Sequence, residues 1–543
     1  MEDTASLVRA RHLVVPASRP PIPGTGPQTV ADILAGPLAR CPDRTALVAR
    51  HSRYTYRTLD VAVDRAAAAL ASLGVGAGDR VAASLGNHAE IVIAFLATMR
   101  LGALWVGVAR PLAPAEKAYI LADCEACVFL GDRAMCAQVD GVRAAVPSLR
   151  HVLDADPGDA QSKWNAALAH AGNDVAERVA IDPFAPAAIA YTSGTTGFPK
   201  GAVHSQHNLV LPGAVAAATG AHPIGQIHGV LLPLGVLNLM VLVPLLVFQI
   251  DGTCVCIDRV DAEGVAEWVR NENVAHFAAV PATYHDLLTH PQVSGADLAS
   301  LVRPEVGGAE CPPSFLRLYR ERFGADVSIG YGMTEAPTAV TRSPGDTPPQ
   351  PGLIGRPLPQ IEIRLLDENG RQVADGEVGE ICVAPSSQGP FAGVYTPMLG
   401  YWNKPDQTAA ALVDGVLHTG DLGVRDPASG QLYIRGRRGD LILRGGANVY
   451  PAEVERVLHA DPRVAACAVF GIADERLGER VVAAVQVADG AGSVTAEELR
   501  EVCATALARY KVPERFHFVA SVPRNSMGKI VKRELRRQLG LDD

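Results

Sequence analysis

The sequence predicts an α/β fold with a β-rich subdomain and a small α+β lobe toward its C-terminal end, on three observations. Ahead of Tyr331, Ala-rich amphipathic stretches alternate with short apolar runs. After Tyr331, short strand-like runs are separated by Gly and Pro turns. From Pro451, helix-like and strand-like segments alternate again. In chain order, residues 1–29 hold Pro16, Pro20, Pro21, Pro23 and Pro27 and read as an irregular leader rather than a packed element. Structure is expected to begin at Val30. Leu59 to Leu73 and Glu90 to Arg100 carry helical spacing and Arg80 to Leu85 reads as a strand; such alternation implies a parallel sheet. Gly74-Val75-Gly76-Ala77-Gly78-Asp79 evokes a dinucleotide-binding turn, but it follows a helix and lacks the spacing, so it reads as a helix stop.

The uncharged segment from Gly229 to Ile250 is long enough to cross a bilayer. Pro233, Gly235, Asn238 and Pro244 interrupt it, and motifs on either side must serve one site, so it reads as a buried core helix. Beyond Tyr331, Ile361 to Leu366, Glu380 to Val383 and Gln431 to Ile434 read as strands of the β-rich subdomain. Helix Ala452 to His459, strands Ala465 to Phe470 and Val481 to Val487, and helix Ala496 to Arg509 suffice for the small lobe.

At 543 residues the chain exceeds what one core holds, which favours a large composite lobe and a smaller one. With 48% hydrophobic and 20% charged residues, the composition is that of a soluble globular enzyme and not of a disordered chain. The net charge of -9 comes with acidic and basic residues interleaved, which leaves no basic stripe for nucleic acid. Ten cysteines without a repeating framework suit a reducing cytoplasm, and the acidic start Met1-Glu2-Asp3-Thr4 does not resemble an export signal. The sole CxxC, Cys124 to Cys127, could be a redox pair; it leads into Val128-Phe129-Leu130 without a second metal-spaced pair and reads as structural.

The most informative segment is Tyr191-Thr192-Ser193-Gly194-Thr195-Thr196-Gly197-Phe198-Pro199-Lys200-Gly201, between an apolar run and an expected helix. Three glycines let backbone amides approach an anion, four hydroxyls donate, and Lys200 adds charge, so the loop suits a polyphosphate. No Gly-Lys-Ser/Thr ends it, so it is not a Walker loop. In Tyr331-Gly332-Met333-Thr334-Glu335, Tyr331 can stack on adenine, Thr334 can meet an α-phosphate and Glu335 can hold Mg2+. In His418-Thr419-Gly420-Asp421 the carboxylate can accept two ribose hydroxyls. His204 and His207 flank the loop; because the reacting carboxylate is already ionised at neutral pH, they read as structural rather than as bases.

These motifs, followed in order by Gly436-Arg437-Arg438-Gly439-Asp440 and by Lys529 within Pro523-Arg524-Asn525-Ser526-Met527-Gly528-Lys529, resemble the adenylate-forming superfamily of acyl-CoA synthetases, adenylation domains and luciferases, from about Val30 to Arg536. The resemblance implies a large N-terminal AMP-binding lobe, residues 30–438, and a small mobile C-terminal lobe, residues 439–543, hinged at Gly439. It implies an acyl-AMP intermediate made from ATP and then passed to a thiol. Lys529, Thr334, Glu335 and Lys200 would be the catalytic residues, with Mg2+ on Glu335. ATP or AMP would further contact Thr192, Ser193, Gly194, Thr195, Thr196, Gly197, Tyr331, Gly332 and Met333; Gly308, Ala309 and Glu310 would form the other adenine wall, and Asp421 and Arg437 would hold the ribose. Gly445 and Gly446 would border the CoA tunnel.

Two departures stand out. Relatives usually carry Asp or Lys where this chain has Gly439, and many place an aromatic residue and a His after Pro-Leu where Pro233-Leu234 here leads into Gly235-Val236. The second suggests a roomier apolar acid pocket shared by Val236, Tyr284, Gly307 and Pro337. The leading expectation is an acyl-CoA synthetase acting on a small-molecule carboxylic acid with ATP and CoA. The runner-up loads the acid onto a carrier protein, and a non-catalytic nucleotide-binding protein is a third possibility. No transmembrane segment is expected.

Overall fold

The computed structural model describes residues 7–8, 11–16, 18–172, 179–192, 199–302, 305–307, 313–343, 350, 352–444, 447–474, 476–525 and 528–541. Among them, seven strands form one sheet in the order Gly400–Tyr401, Lys200–Ser205, Pro186–Thr192, Leu104–Gly107, Arg80–Ser84, Val128–Gly131 and His151–Asp154. The last five run parallel. Their interiors are continuously apolar because both faces are covered: Val81, Ala82, Val106, Val128 and Phe129 are fully buried. Helix Tyr56–Ser72 starts in a capping box, where the Thr55 side chain accepts from the Thr58 amide. Helix Ala89–Arg100 is apolar around its circumference and correspondingly buried.

A second sheet orders Ser52–Thr55, Thr45–Ala49, Thr253–Cys256 and Ile227–Val230. A third, mixed sheet starts with the parallel strands Ala278–Ala279, Glu305–Gly307 and Ile329–Met333. It continues antiparallel through Thr338–Arg342, Leu353–Pro357, Leu432–Arg437, Val416–Arg425, Val378–Pro385 and Ile361–Leu366. This sheet carries the predicted β-rich region and continues directly from the strand ending in Met333. Its last strand before the small lobe ends at Arg437; one 3-10 turn, Arg438–Asp440, precedes the small lobe's first strand, Ile442–Arg444. There, helices Pro451–His459 and Ala496–Ala506 cover strands Val464–Asp474 and Gly478–Val487 with a core of their own, including Val454, Leu458, Val469, Val481 and Leu499.

Two readings differ from the sequence expectation. Among the described residues of the leader, Leu7 and Val8 are helical and residues 11–16 and 18–29 hold no helix or strand, yet the segment is packed: Leu7, Val8, Leu13 and Ile22 are buried, and the Val14 amide donates to Leu399 O at 2.7 Å. The segment from Gly229 to Ile250 is not one helix. Ile227–Val230 is a strand, and the helical part runs from Leu237 to Gln249 with a π-helical stretch, Val241–Leu245, around Pro244. Proline cannot donate to the preceding turn, and the wider π turn accommodates it. Among the described residues no helix is long and apolar enough to cross a membrane. Cys124 and Cys127 are both free and buried, in keeping with the structural reading of the CxxC.

One close approach shapes the middle of the large lobe. A Cβ added to Gly107 would lie 2.0 Å from Gly235 O, so the parallel strand Leu104–Gly107 ends against the backbone of the Pro233 to Val236 turn. Gly107→Ala is therefore expected to destabilise the fold by about 1–3 kcal/mol through overpacking. The check is a lowered urea midpoint at unchanged slope.

Candidate active site

Strands Pro186–Thr192 and Lys200–Ser205 form a hairpin in which Thr192 pairs with Lys200. The strands on either side of the Gly- and hydroxyl-rich segment therefore pair with each other, and a strand, not the expected helix, begins at Lys200. The expected helix, Gln206–Thr219, begins only after the second strand, with the Ser205 side chain accepting from the Asn208 amide. Ser193, Gly194, Thr195, Thr196 and Gly197 lie outside the described residues.

Because strand side chains alternate, Lys200 and His204 share a face. The Lys200 ammonium stands 5.0 Å above the ring of Tyr401, on the short edge strand paired with Lys200–Ser205. The Tyr401 hydroxyl donates to Glu335 Oε1 at 2.8 Å. Burial, and after it the charge of Glu335, raises the Tyr401 pKa, so the phenol stays a donor. His204 Nε2 lies 2.8 Å from Thr334 O. Complete burial pushes the His204 pKa down to about 4, so a neutral ring donates this bond and holds the Thr334 backbone. His207 likewise reaches Val394 O at 2.8 Å and stacks on Phe184. Both histidines hold backbone carbonyls in place.

Tyr331 lies within strand Ile329–Met333, and Thr334 and Glu335 form the turn that follows, where Met333 bridges to Ala336 and Pro337. The Tyr331 hydroxyl donates to Asp421 Oδ2 at 2.6 Å. Arg437, opposite Asp421 in the sheet register, places its Nε 3.0 Å from Asp421 Oδ1. Burial, then the Asp421 charge, raises the Tyr331 pKa well above its ordinary value. A carboxylate offers about four lone-pair positions, so Asp421 can accept two further hydroxyls beside these two donors. Its backbone is held by its amide donating to Thr419 Oγ1 at 3.0 Å and by the Gly420 amide donating to Glu380 Oε1 at 2.9 Å. Gly420 has φ +73°, a conformation that side-chain-bearing residues rarely adopt.

Lys529 lies in the small lobe between the bridged residues Arg524 and Ile530, its amide donating to Asn525 Oδ1 at 2.9 Å. Its side chain is exposed. Burial first, and Arg437 next, lower its pKa, while Asp421 and Asp440 pull it up. The ammonium thus senses the strand pair that holds Tyr331.

Elsewhere, Gly307 pairs with Gly330, next to Tyr331, whereas Gly308, Ala309 and Glu310 lie outside the described residues, as do Gly445 and Gly446. Gly332 is exposed and Met333 half-buried; Gly439 sits in the 3-10 turn with open space around it, so nothing in this arrangement requires a glycine there. Val236 is half-buried beside Asn238, whose Nδ2 donates to Met333 O at 3.2 Å. Pro337 is buried. Tyr284 departs from its expected place. It is fully buried, stacked on Phe277 at 4.9 Å, and its hydroxyl donates to Phe277 O at 2.7 Å, so it fills core instead of facing an open pocket.

Sequence reasoning missed Tyr401 and Glu380. Tyr401 carried a weak signal, the Tyr401-Trp402 aromatic pair after Gly400; Glu380 carried none, because only sheet register brings it to Gly420 and to His418 Nδ1, 3.0 Å away.

Comparison with known proteins identifies the family. The AMP-binding enzyme family matches residues 35–402, and the AMP-binding enzyme C-terminal domain matches residues 453–529. The chain is 33% identical to the indoleacetate–CoA ligase of Aromatoleum aromaticum, over 91% of this chain and 95% of that one. It is 32% identical to the fatty acid–[acyl-carrier-protein] ligase ScoC of Streptomyces coeruleorubidus, over 91% of this chain and 93% of that one. The ATP-bound MatB structure from Rhodopseudomonas palustris matches with a TM-score of 0.83 at 28% identity, covering 94% of this chain and 98% of that one. With the family match spanning most of the large lobe and the small lobe matched separately, this chain belongs to the AMP-binding, adenylate-forming family of acid ligases.

Proposed function

We propose that this chain is a cytoplasmic, ATP-dependent acyl-CoA synthetase. In the first step the acid's carboxylate attacks the α-phosphorus of ATP, the bond to pyrophosphate breaks, and acyl-AMP forms. In the second, the thiol of CoA attacks the acyl carbon and AMP leaves. The observation that carries the reading is the cluster in which buried Asp421 accepts from the Tyr331 hydroxyl and pairs with Arg437, with Lys529 of the small lobe electrostatically coupled to Asp421 and Arg437. That juxtaposition suits a lysine bridging the incoming carboxylate and the α-phosphate while Asp421 accepts the ribose hydroxyls and Tyr331 flanks adenine. Lys200 would face the departing pyrophosphate, and Thr334, its backbone held by neutral His204, the α-phosphate.

Glu335 fits a hard cation: its Oε1 accepts from Tyr401, and Oε2 accepts no hydrogen bond among the described residues. Mg2+ bound there would neutralise polyphosphate charge. Glu335→Gln is expected to weaken Mg2+-dependent turnover, with partial recovery as the metal concentration is raised in a pyrophosphate-release assay.

Gly439 serves as the hinge, and Gly445 and Gly446 border the pantetheine arm. For the acid we infer an apolar substrate in a pocket near Val236 and Pro337, roomy because Gly235 and Val236 lack bulk. A series of acids of graded size, showing no preference for bulky ones, would count against this. The similarity to a CoA ligase supports CoA as acceptor, while the similarity to ScoC keeps a carrier protein as the second reading. Thioester formation with free CoA, compared with a phosphopantetheinylated carrier, decides between them. Product on CoA supports the proposal; product on the carrier alone overturns it.

A further inference from the structure

Three histidines outside the nucleotide motifs converge where two sheets of the large lobe meet. His222 follows helix Gln206–Thr219, His228 lies on the edge strand Ile227–Val230, and His276 forms an isolated parallel bridge with His228. Their ring centroids are 4.7 to 5.0 Å apart. One ring nitrogen from each lies within 4.8 Å of the other two. All three are buried, His228 at 1% exposure and the others at 8%.

This is a costly way to fill a core. Phenylalanine would pack as well without polar atoms that need partners. His228 Nε2 lies 2.9 Å from Gln226 Oε1; that carbonyl oxygen only accepts, so Nε2 carries the proton and Nδ1 presents a lone pair. His228 Nδ1 is buried without a hydrogen-bond partner. A histidine whose second nitrogen is held by an oxygen acceptor, with the first left as a free lone pair, is the arrangement metal-binding histidines adopt. The rings are also neutral, as ligation requires: burial lowers all three pKa values, His276 to about 3. The nearby charged groups are Glu305, which acts on His222, and Arg342, which acts on His222 and His276; the two are paired with each other at 2.7 Å.

We propose that His222, His228 and His276 bind one divalent transition-metal ion, Zn2+ foremost, as a structural clip. It joins the loop after helix Gln206–Thr219 to the edge strand and to the chain entering strand Ala278–Ala279. Imidazole donors suit Zn2+, Co2+, Ni2+ and Cu2+ and disfavour Mg2+, so this site is chemically distinct from Glu335. Zn–N bonds of about 2.0–2.1 Å require nitrogens roughly 3.3 Å apart in a tetrahedron, so binding draws the rings inward. The His222 loop can supply that movement. It lies between Gly220 and Gly225, both at positive φ, and Ile224 within it is 80% exposed.

The test uses the full chain without a histidine tag, stripped by chelator and titrated with Co2+ and then Zn2+. The expected result is one Co2+ per chain with the intense visible absorption of a tetrahedral site, displaced by Zn2+, and a thermal midpoint raised by Zn2+. His222→Ala, placed in the exposed loop, should weaken Co2+ binding by roughly 10²-fold or more, and His222→Cys should restore it with a thiolate band. Native mass spectrometry of the unsubstituted chain should show a single Zn2+ adduct, which keeps the test decisive if a variant misfolds. No adduct and no tetrahedral absorption, or binding that survives His222→Ala unchanged, would overturn the proposal.

Discussion

Lys529→Ala should slow acyl-AMP formation by roughly 10²-fold or more, the scale on which one preorganised donor matters, while conversion of supplied acyl-AMP to thioester survives. The asymmetry follows from the electrostatic coupling of the ammonium to Arg437 and Asp421, and from the charge it must balance when a carboxylate meets a phosphate. A pH dependence follows with a definite sign. Because burial and Arg437 depress the Lys529 pKa, its charge is present at low pH and is lost as pH rises through a value below the ordinary lysine range. The kcat/KM for adenylation should therefore fall on the alkaline side earlier than an unperturbed lysine would dictate, and Lys529→Arg should move that limb upward. Equal loss in both half-reactions, or an alkaline limb unmoved by the arginine, would contradict the assignment.

Asp421→Ala should raise the KM for ATP by roughly 10²-fold with a smaller effect on kcat, because it removes the carboxylate proposed to accept the ribose hydroxyls. Asp421 is only 4% exposed and anchors both Tyr331 and Arg437, so its loss frees the phenol and the guanidinium together. Tyr331→Phe, which removes only the hydroxyl bond and keeps the ring, should cost far less. Steady-state kinetics with ATP varied at saturating acid separate the two.

What the sequence disclosed was set by local pattern. Ile361–Leu366 alternates buried and exposed residues, and the strand was found at its true limits. The small lobe's helix ending at His459 was found because apolar residues recur at helical spacing after Pro451. The Gly- and Thr-rich segment was recognised as a loop, but its second flank was misread, because Lys200-Gly201-Ala202-Val203-His204-Ser205 has little of the β-branched content that marks a strand. Its pairing with Gly400–Tyr401 comes from a segment far along the chain. The same limit hid Glu380, and it misplaced Tyr284, whose hydroxyl finds a backbone partner inside the core. The leader misled for another reason. Prolines disfavour regular structure, but they do not stop Ile22 from being buried between Pro21 and Pro23, or Leu13 ahead of Pro16.

The most direct test of the account is acid-dependent exchange of labelled pyrophosphate into ATP by the purified chain with magnesium and a broad panel of carboxylic acids. One nucleotide site assembled by Lys200, Tyr331, Asp421 and Lys529 predicts exchange that appears only with an accepted acid and collapses in Lys529→Ala. Absence of exchange with every acid, with no adenylate retained on the protein, would contradict it.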